Sequence, residues 1–579
     1  MIKRLLQSVG QYKKLSILTP LLIVGEVIIE CIMPTEIAYL VNEIKAGSDL
    51  SNVLRHGLIL FVLALISLAF GASAAFTASK ASSGFAKNLR RRIFEKTQTF
   101  SFENIDKFSS ASLVTRMTTD VSYVQMAYMM IIRIAVRSPF MLVFSTVMAF
   151  RLGKSLAVSF VIVIPFLATG LILIAKNAMP AFRAVFKKYD KLNESIEENV
   201  MAMRTVKGFV REEYEKKKFG SAAENIRKDF TKAERIVALN SPLMQFCMYF
   251  NMVFIMYFGG KLIIEGRGVD IDVGQLSAML TYGVQILFSL MMFSMIFVML
   301  TMSLESMRRI DEVLCEESAI TNPENPVYEI KDGSIDFEDV SFKYSAKSDN
   351  YALADVSFHI NSGETIGIIG GTGSSKSTLI QLISRLYDVT VGSVKLGGTD
   401  VREYDLVTLR DAVSVVLQKN VLFSGTIKDN LRWGNKNATD EELIEACKLA
   451  QADEFISQFP DGYDTMIEQG GTNVSGGQKQ RICIARALLK KPKVLILDDS
   501  TSAVDTRTDA LIRKGFESYI PDTTKIIIAQ RIASVEHADR VIVMDNGKID
   551  AIGTPEYLLE NNQIYKEVYE QQNKGGEQK

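Results

Sequence analysis

Four stretches of this chain, 57–79, 155–175, 236–260 and 273–304, contain no Asp, Glu, Lys or Arg. A helix that crosses a bilayer needs about 20 mostly apolar residues, so each is long enough to span. Two further apolar segments carry a few charges: 15–41 with Glu26, Glu30 and Glu36, and 121–150 with Arg133 and Arg137. Together they predict six spans. Around residue 315 the pattern changes to CEESAITNPENPVYEIKDGS, rich in Pro, Asn and Glu, which reads as a linker. Beyond it, apolar runs shorten to strand length and alternate with helical patterns, the mark of an α/β fold. The expected organisation is an all-α six-helix transmembrane domain over 1–314, a linker over 315–332 and an α/β domain over 333–579.

An even number of spans puts both ends of the membrane domain on one side. Lys3, Arg4, Lys13 and Lys14 precede the first span, and Lys80, Lys87, Arg90, Arg91, Arg92 and Lys96 follow the second. The positive-inside rule therefore places the N-terminus and everything from residue 306 onward in the cytoplasm, with Arg151 and Lys154 as a weaker contrary signal. The two cytoplasmic connections, 80–120 and 176–235, are long, charged and helix-patterned, and predict spans prolonged into water as antiparallel pairs.

Charges inside spans are costly unless paired or wetted. Glu26 and Glu30 are four apart, as are Arg133 and Arg137, so each pair shares a helix face. Two readings stay open: the carboxylates line a polar cavity for cationic amphiphiles, or the four charges lock the first span to the third. The last span adds flexible methionines, Met292 among them, with Phe288 and a polar stripe of Tyr282, Gln285 and Ser289. Such residues serve an adaptable ligand wall or ordinary helix packing.

Composition sharpens the division. The 579 residues hold 66 basic and 66 acidic side chains, so no net field attracts nucleic acid. Mean hydropathy is +0.14, high for a wholly soluble protein. Of 24 methionines only Met466 and Met544 lie beyond residue 320, so the two halves face different solvents. The five cysteines are scattered and never in C-x-x-C spacing, which argues against a disulfide framework or zinc site. Histidine occurs three times, at 56, 359 and 537.

The chemistry lies in the second half. IGIIGGTGSSKSTLI, 366–380, reads as strand, glycine-rich turn and helix start, the context of a phosphate-binding loop. Gly371, Thr372, Gly373, Ser374, Ser375 and Thr378 form the cradle, Lys376 reaches the outer phosphates and Ser377 holds Mg²⁺. One position departs from G-x-x-x-x-G-K-[ST]: Ser375 replaces the glycine before the lysine, where a side chain crowds the phosphates or strains the turn. KVLILDDS, 493–500, is a buried strand ending in two carboxylates, with Asp498 in the place of an ATPase's Mg²⁺-associated aspartate.

Between the two motifs lies NVSGGQKQRICIARALL, 473–489, which resembles the signature of ATP-binding cassette (ABC) proteins. Other landmarks follow the family order. Tyr344 is similar to the adenine-stacking aromatic, Gln418 to the Q-loop glutamine and Mg²⁺ ligand, 500–505 to the D-loop and Gln530 to the switch residue. The resemblance covers essentially the whole chain and implies a half-transporter of the ABC exporters of type IV architecture, similar to bacterial heterodimeric multidrug exporters. It implies ATP and Mg²⁺, a bacterial cell membrane, small hydrophobic substrates, and coupling helices near Ser110 and Val210. In that family each ATP lies between the P-loop of one cassette and the signature of another. A competent site carries glutamate after the Mg²⁺ aspartate and histidine at the switch; this chain has Asp499 and Gln530. The signature residues Ser475, Gly476, Gly477 and Gln478 are intact. The resemblance thus implies a slow, nucleotide-retaining site on this chain, and a signature that completes a competent site on a second, different half-transporter. A homodimer in which Asp499 suffices is the alternative.

Overall fold

The computed structural model describes residues 1–266, 271–345, 348–500 and 504–574. Two compact units emerge: Met1–Thr99 with Ser109–Glu316, and Phe100–Phe108 with Glu317–Lys579.

The first unit is helical. Its long helices are span 1 (Lys13–Ala46), span 2 (Leu50–Gln98), span 3 (Val121–Gly153), span 4 (Val158–Met201), span 5 (Asn240–Glu265) and span 6 (Val273–Cys315). Among the described residues five continuous helical stretches are long and apolar enough to cross a membrane. One of them, Ser110–Phe182, is broken by the tight turn Lys154–Ala157, where Lys154 takes a left-handed φ of 40°, so it holds spans 3 and 4. At 1.5 Å per residue the 49 residues of span 2 reach about 74 Å, more than twice the roughly 30 Å hydrocarbon core. Its far end therefore stands in water, as its Lys and Arg residues require.

In the most apolar part of span 2 large side chains point outward: Leu58, Phe61 and Leu68 are more than 60% exposed. Lipid is as apolar as a protein interior, so nothing drives them inward. The packed face begins with small residues, Ala74, Ala78, Ala81 and Gly84, and continues with Phe85, Leu89 and Ile93, all buried in span 2. Span 6 opens with a capping box between Asp272 and Gln275, and two residues on, Gly274 meets span 1 so closely that a β-carbon there would lie 2.1 Å from the Ala38 carbonyl oxygen. The extension of span 4 pairs with the helix Glu212–Ala238 through a Lys188–Asp229 ion pair and an Asn199–Glu215 hydrogen bond of 2.8 Å. The tip between them leaves Phe209 and Val210 74% and 81% exposed.

The second unit is α/β. A four-stranded antiparallel sheet has the order β2 (Leu353–Ile360), β1 (Ile335–Phe342), β4 (Val391–Leu396), β5 (Thr399–Asp400). A six-stranded sheet runs β12 (Lys548–Gly553), β11 (Arg540–Asp545), β3 (Thr365–Gly370), β10 (Thr524–Ile528), β9 (Val494–Asp498), β6 (Val413–Val416), parallel except at the β12 edge. A small pair, β7 (Gly425–Thr426) and β8 (Met466–Ile467), stands apart. Every residue of β9 and β10 is buried, which explains the apolar runs 494–497 and 526–528: parallel strands covered on both faces need no polar side. The helix Phe102–Phe108 packs in this unit, where Asp106 accepts a 2.9 Å hydrogen bond from the Tyr387 hydroxyl.

Candidate functional site

The carboxyl ends of β3 and β9 place the phosphate loop beside the acidic pair. After β3 the chain turns through Gly370 and Gly373, both with positive φ, into the helix Lys376–Ile383. Gly370 has no alternative, because a β-carbon would lie 2.2 Å from the Met544 carbonyl oxygen. Ser375 is the helix N-cap and sits at φ 69°, ψ 24°, left-handed backbone that costs a residue with a β-carbon roughly 1–2 kcal/mol. Its departure from glycine is thus a strained one.

Lys376 Nζ donates to the Gly370 and Gly371 carbonyls at 2.9 and 2.8 Å and to Ser374 Oγ at 3.2 Å. Burial pulls its pKa down. Ser377 Oγ donates to Asp498 Oδ2 at 3.0 Å. Asp498 ends β9 nearly buried, and desolvation raises its pKa despite that hydrogen bond. A β-carbon at Gly371 or Gly373 would meet nothing within 4 Å. The loop therefore keeps open room lined by backbone N–H groups, an ammonium and a helix N-terminus. That donor set fits a nucleotide's phosphates, and the Ser377–Asp498 pair fits their Mg²⁺. Such a nucleotide supplies a γ-phosphoryl group open to attack by water.

The residues that distinguish this site meet on Asp499. Its Oδ2 accepts from Gln418 Nε2 at 3.3 Å and from Gln530 Nε2 at 3.2 Å. Asp499 itself has a left-handed φ of 48°. Gln418 thus reaches the second carboxylate, while Ser377 holds the first. Tyr344, about half exposed, is anchored by hydrogen bonds of its hydroxyl with Thr378 Oγ1 (2.9 Å) and Gln381 Oε1 (3.2 Å). Its ring stands edge-on to Tyr387, centroids 5.2 Å apart. Gln381, Tyr387 and Asp106 are supports that sequence reasoning missed. Tyr387 lies in an unremarkable SRLYDVT segment, and only the fold brings it to the Phe102–Phe108 helix.

The signature residues are on the surface of the same unit. Ser475 caps the helix Gly476–Leu488, its Oγ accepting from Gln478 N–H while Gln478 Oε1 accepts from Ser475 N–H. Their side chains close on each other, leaving the helix N-terminus facing outward. The 500–505 segment falls, over 501–503, outside the described residues.

In the membrane unit Arg137 carries both carboxylates: Nη1 lies 2.7 Å from Glu26 Oε1, and Nη2 lies 2.6 and 2.8 Å from the two oxygens of Glu30. Span 1 is thereby tied to span 3. A cavity of about 450 Å³ opens beside this pair, lined in part by Glu26, Arg133, Gln285, Phe288 and Met292. Tyr282 belongs elsewhere than the sequence suggests. It is fully buried, donates to the Cys31 carbonyl at 2.7 Å and lies 3.0 Å from Thr35 Oγ1, so it packs span 6 on span 1. Glu30 is likewise absent from the cavity wall, although the Arg137 that holds it is part of that wall.

A six-span helical unit and a P-loop sheet with its acidic pair define a membrane protein powered by a nucleotide cassette. Residues 16–300 match the family model of the ABC transporter transmembrane region, and 353–502 match that of the ABC transporter cassette. The ABC transporter ATP-binding protein YfiB of Bacillus subtilis is 35% identical over 99% of this chain and 98% of its own length. YknU of the same organism is 35% identical over 84% of this chain and 82% of its own. A solved bacterial Atm1-family ABC exporter with ATP bound superimposes with a TM-score of 0.85, covering 97% of this chain and 99% of that one at 23% identity, which establishes the shared fold. The chain belongs to the ABC transporters. It is a multi-pass membrane protein carrying its ATP-binding cassette on the same polypeptide.

Proposed function

We propose that this chain is one subunit of a heterodimeric ATP-driven exporter of hydrophobic or amphiphilic compounds, drugs among them. Its own P-loop builds a slow, nucleotide-retaining site, and its signature, Ser475 to Gln478, completes a competent site on the partner chain. The observation that carries this reading is Asp499 held by Gln418 and Gln530. A carboxylate one methylene shorter than glutamate, already occupied by two amides, is poorly placed to take a proton from attacking water. Gln530 has no titratable nitrogen with which to assist.

Three further observations support a partner and a direction. The signature helix faces outward with its capping closed on itself. The apolar tip at Phe209 and Val210 is bare on this chain. The basic clusters around spans 1 and 2 favour cytoplasmic termini. ATP binding would favour closed cassettes over open ones, and that differential affinity biases the spans toward outward access. A lipid or peptide exporter of the same architecture shares every one of these features, as would a homodimer or a nucleotide-gated regulatory subunit.

The test expresses the chain alone and together with the product of its neighbouring gene, and measures MgATP hydrolysis and vesicle transport. The expected result is low turnover alone and robust, transport-linked turnover in the pair. Robust hydrolysis by the chain alone, abolished by Asp499→Asn, would overturn the reading.

A further inference from the structure

The C-terminal helix Gln563–Lys574 is anchored in the cassette core by one face. Tyr565 on that face is buried, and Val568 and Tyr569 pack on the same apolar cluster as Ala529, Ile532 and Val535. Seven residues after Tyr565, two turns on, helical spacing brings Gln572 to that face, so an uncharged polar side chain stands where the pattern would take an apolar one. Its amide is fully used. Gln572 Nε2 donates to the Gln530 carbonyl at 2.7 Å, and Gln572 Oε1 accepts from the Ile532 N–H at 2.9 Å. Among the described residues these two backbone groups have no other partner. The amide thus grips the turn that follows β10 as a neighbouring strand would, with one donor and one acceptor. Just upstream, the Ala529 N–H donates to the Ile368 carbonyl of β3 at 3.2 Å. Gln530 is therefore fixed between two backbone anchors, and its own side chain reaches Asp499 Oδ2. Asp499 follows the carboxylate that Ser377 holds, so that reach ends at the outer-phosphate side of the loop.

We propose that Gln572 is a positioning residue of the nucleotide site: through its amide the C-terminal helix sets the backbone from which Gln530 meets the γ-phosphate end of bound ATP. The chemistry requires glutamine. Glutamate has the same length but no donor when ionised, lysine has no acceptor, and asparagine is one methylene short. The role is the same whether the second half-transporter is a copy of this chain or a different one. It puts a determinant of ATP binding 42 residues beyond the switch, past every motif of the cassette.

The test measures binding of the N-methylanthraniloyl (mant) derivatives of AMPPNP and ADP, with Mg²⁺, to the full-length chain in nanodiscs. Only the first carries a γ-phosphoryl group. Gln572→Ala and Gln572→Glu are each expected to weaken mant-AMPPNP about threefold to tenfold, as one misaligned hydrogen bond would, while mant-ADP stays within about twofold and reports an intact cassette. Gln530→Ala is expected to give the same selective loss. Gln530→Ala combined with Gln572→Ala should lose no more than either alone, because Gln572 acts through Gln530. Equal weakening of both nucleotides would mean that Gln572 serves only to pack the helix, and overturns the proposal. Full affinity in Gln572→Glu does the same, since that variant keeps the length and the helix propensity but cannot donate. Additive losses in the double variant, or a Gln530→Ala variant that binds mant-AMPPNP normally, overturn it as well. These affinities are independent of transport, so failure of the exporter reading in the vesicle assay leaves the positioning role standing, and failure here leaves the exporter reading intact.

Discussion

Asp499→Glu is the sharpest perturbation of the nucleotide site. The substitution adds one carbon–carbon bond, about 1.5 Å of reach, to a carboxylate now held at 3.3 Å from Gln418 and 3.2 Å from Gln530. Misplacement of a reacting group by about 1 Å costs up to about a hundredfold in rate, or about 2.7 kcal/mol of barrier. Two terms oppose the gain. The longer side chain disrupts the two amide contacts, and glutamate tolerates the left-handed φ of 48° less well than aspartate, whose short polar side chain bonds locally. Hydrolysis at this chain's own site is therefore expected to rise about tenfold to a hundredfold, and further when Gln530→His restores an imidazole able to move a proton. In the heterodimer proposed above, phosphate release is measured in nanodiscs with the second chain's P-loop lysine replaced, so that only this P-loop can turn over. The reasoning fails if Asp499→Glu leaves the rate within about twofold while Asp499→Asn abolishes it, because Asp499 would then already be a working base.

Four other outcomes follow from the geometry. Tyr387→Phe removes the hydroxyl that donates to Asp106, a bond to a charged acceptor worth about 1.5–3 kcal/mol; ATP hydrolysis should persist while transport per ATP falls, and Asp106→Asn should add little to it in a double-mutant cycle. Asp120, fully buried at the foot of span 3, accepts from Ser306 at 2.8 Å and Arg309 at 2.6 Å on span 6, so Asp120→Ala should cost about 2 kcal/mol. The figure is below that for a wholly buried pair because Arg309 is 37% exposed, and thermal unfolding in nanodiscs reads it. Arg137→Gln strands Glu26 and Glu30 together and should lower the same melting temperature more than Arg133→Gln does, since Arg133 holds no carboxylate. His359 bonds Asp336 at 2.5 Å, and that partner raises its pKa above the usual imidazole value. Its stabilising contribution is then complete below the unfolded-state pKa and lost as pH rises through the raised one. Cassette stability should fall as pH rises from the ordinary imidazole value, about 6.5, through the raised one, a step that Asp336→Asn removes.

How much of this was readable in advance depended on whether a function is local in the chain. The P-loop, the β9 strand with its acidic pair and the signature helix are each contiguous in the chain; phosphate binding needs a strand, a turn and a helix start in succession, and the sequence spells that order directly. Six spans were legible for a similar reason: lipid demands an apolar run of fixed length whatever the neighbouring helices do. Helix ends were not. The charged helical pattern after spans 2 and 4 predicts that both run on into water, but not that they stop at Gln98 and Met201. Partner choice was harder still. Spacing placed Glu26, Glu30, Arg133 and Arg137 on two helix faces, but only the rotation of span 3 against span 1 decides that one arginine serves both carboxylates and the other serves none. Tyr282 failed for the same reason, a polar stripe being equally consistent with a wet wall and with a hydroxyl that bonds a neighbouring backbone. The charge that matters for a membrane cavity is therefore the one left over after pairing, and pairing is a tertiary property.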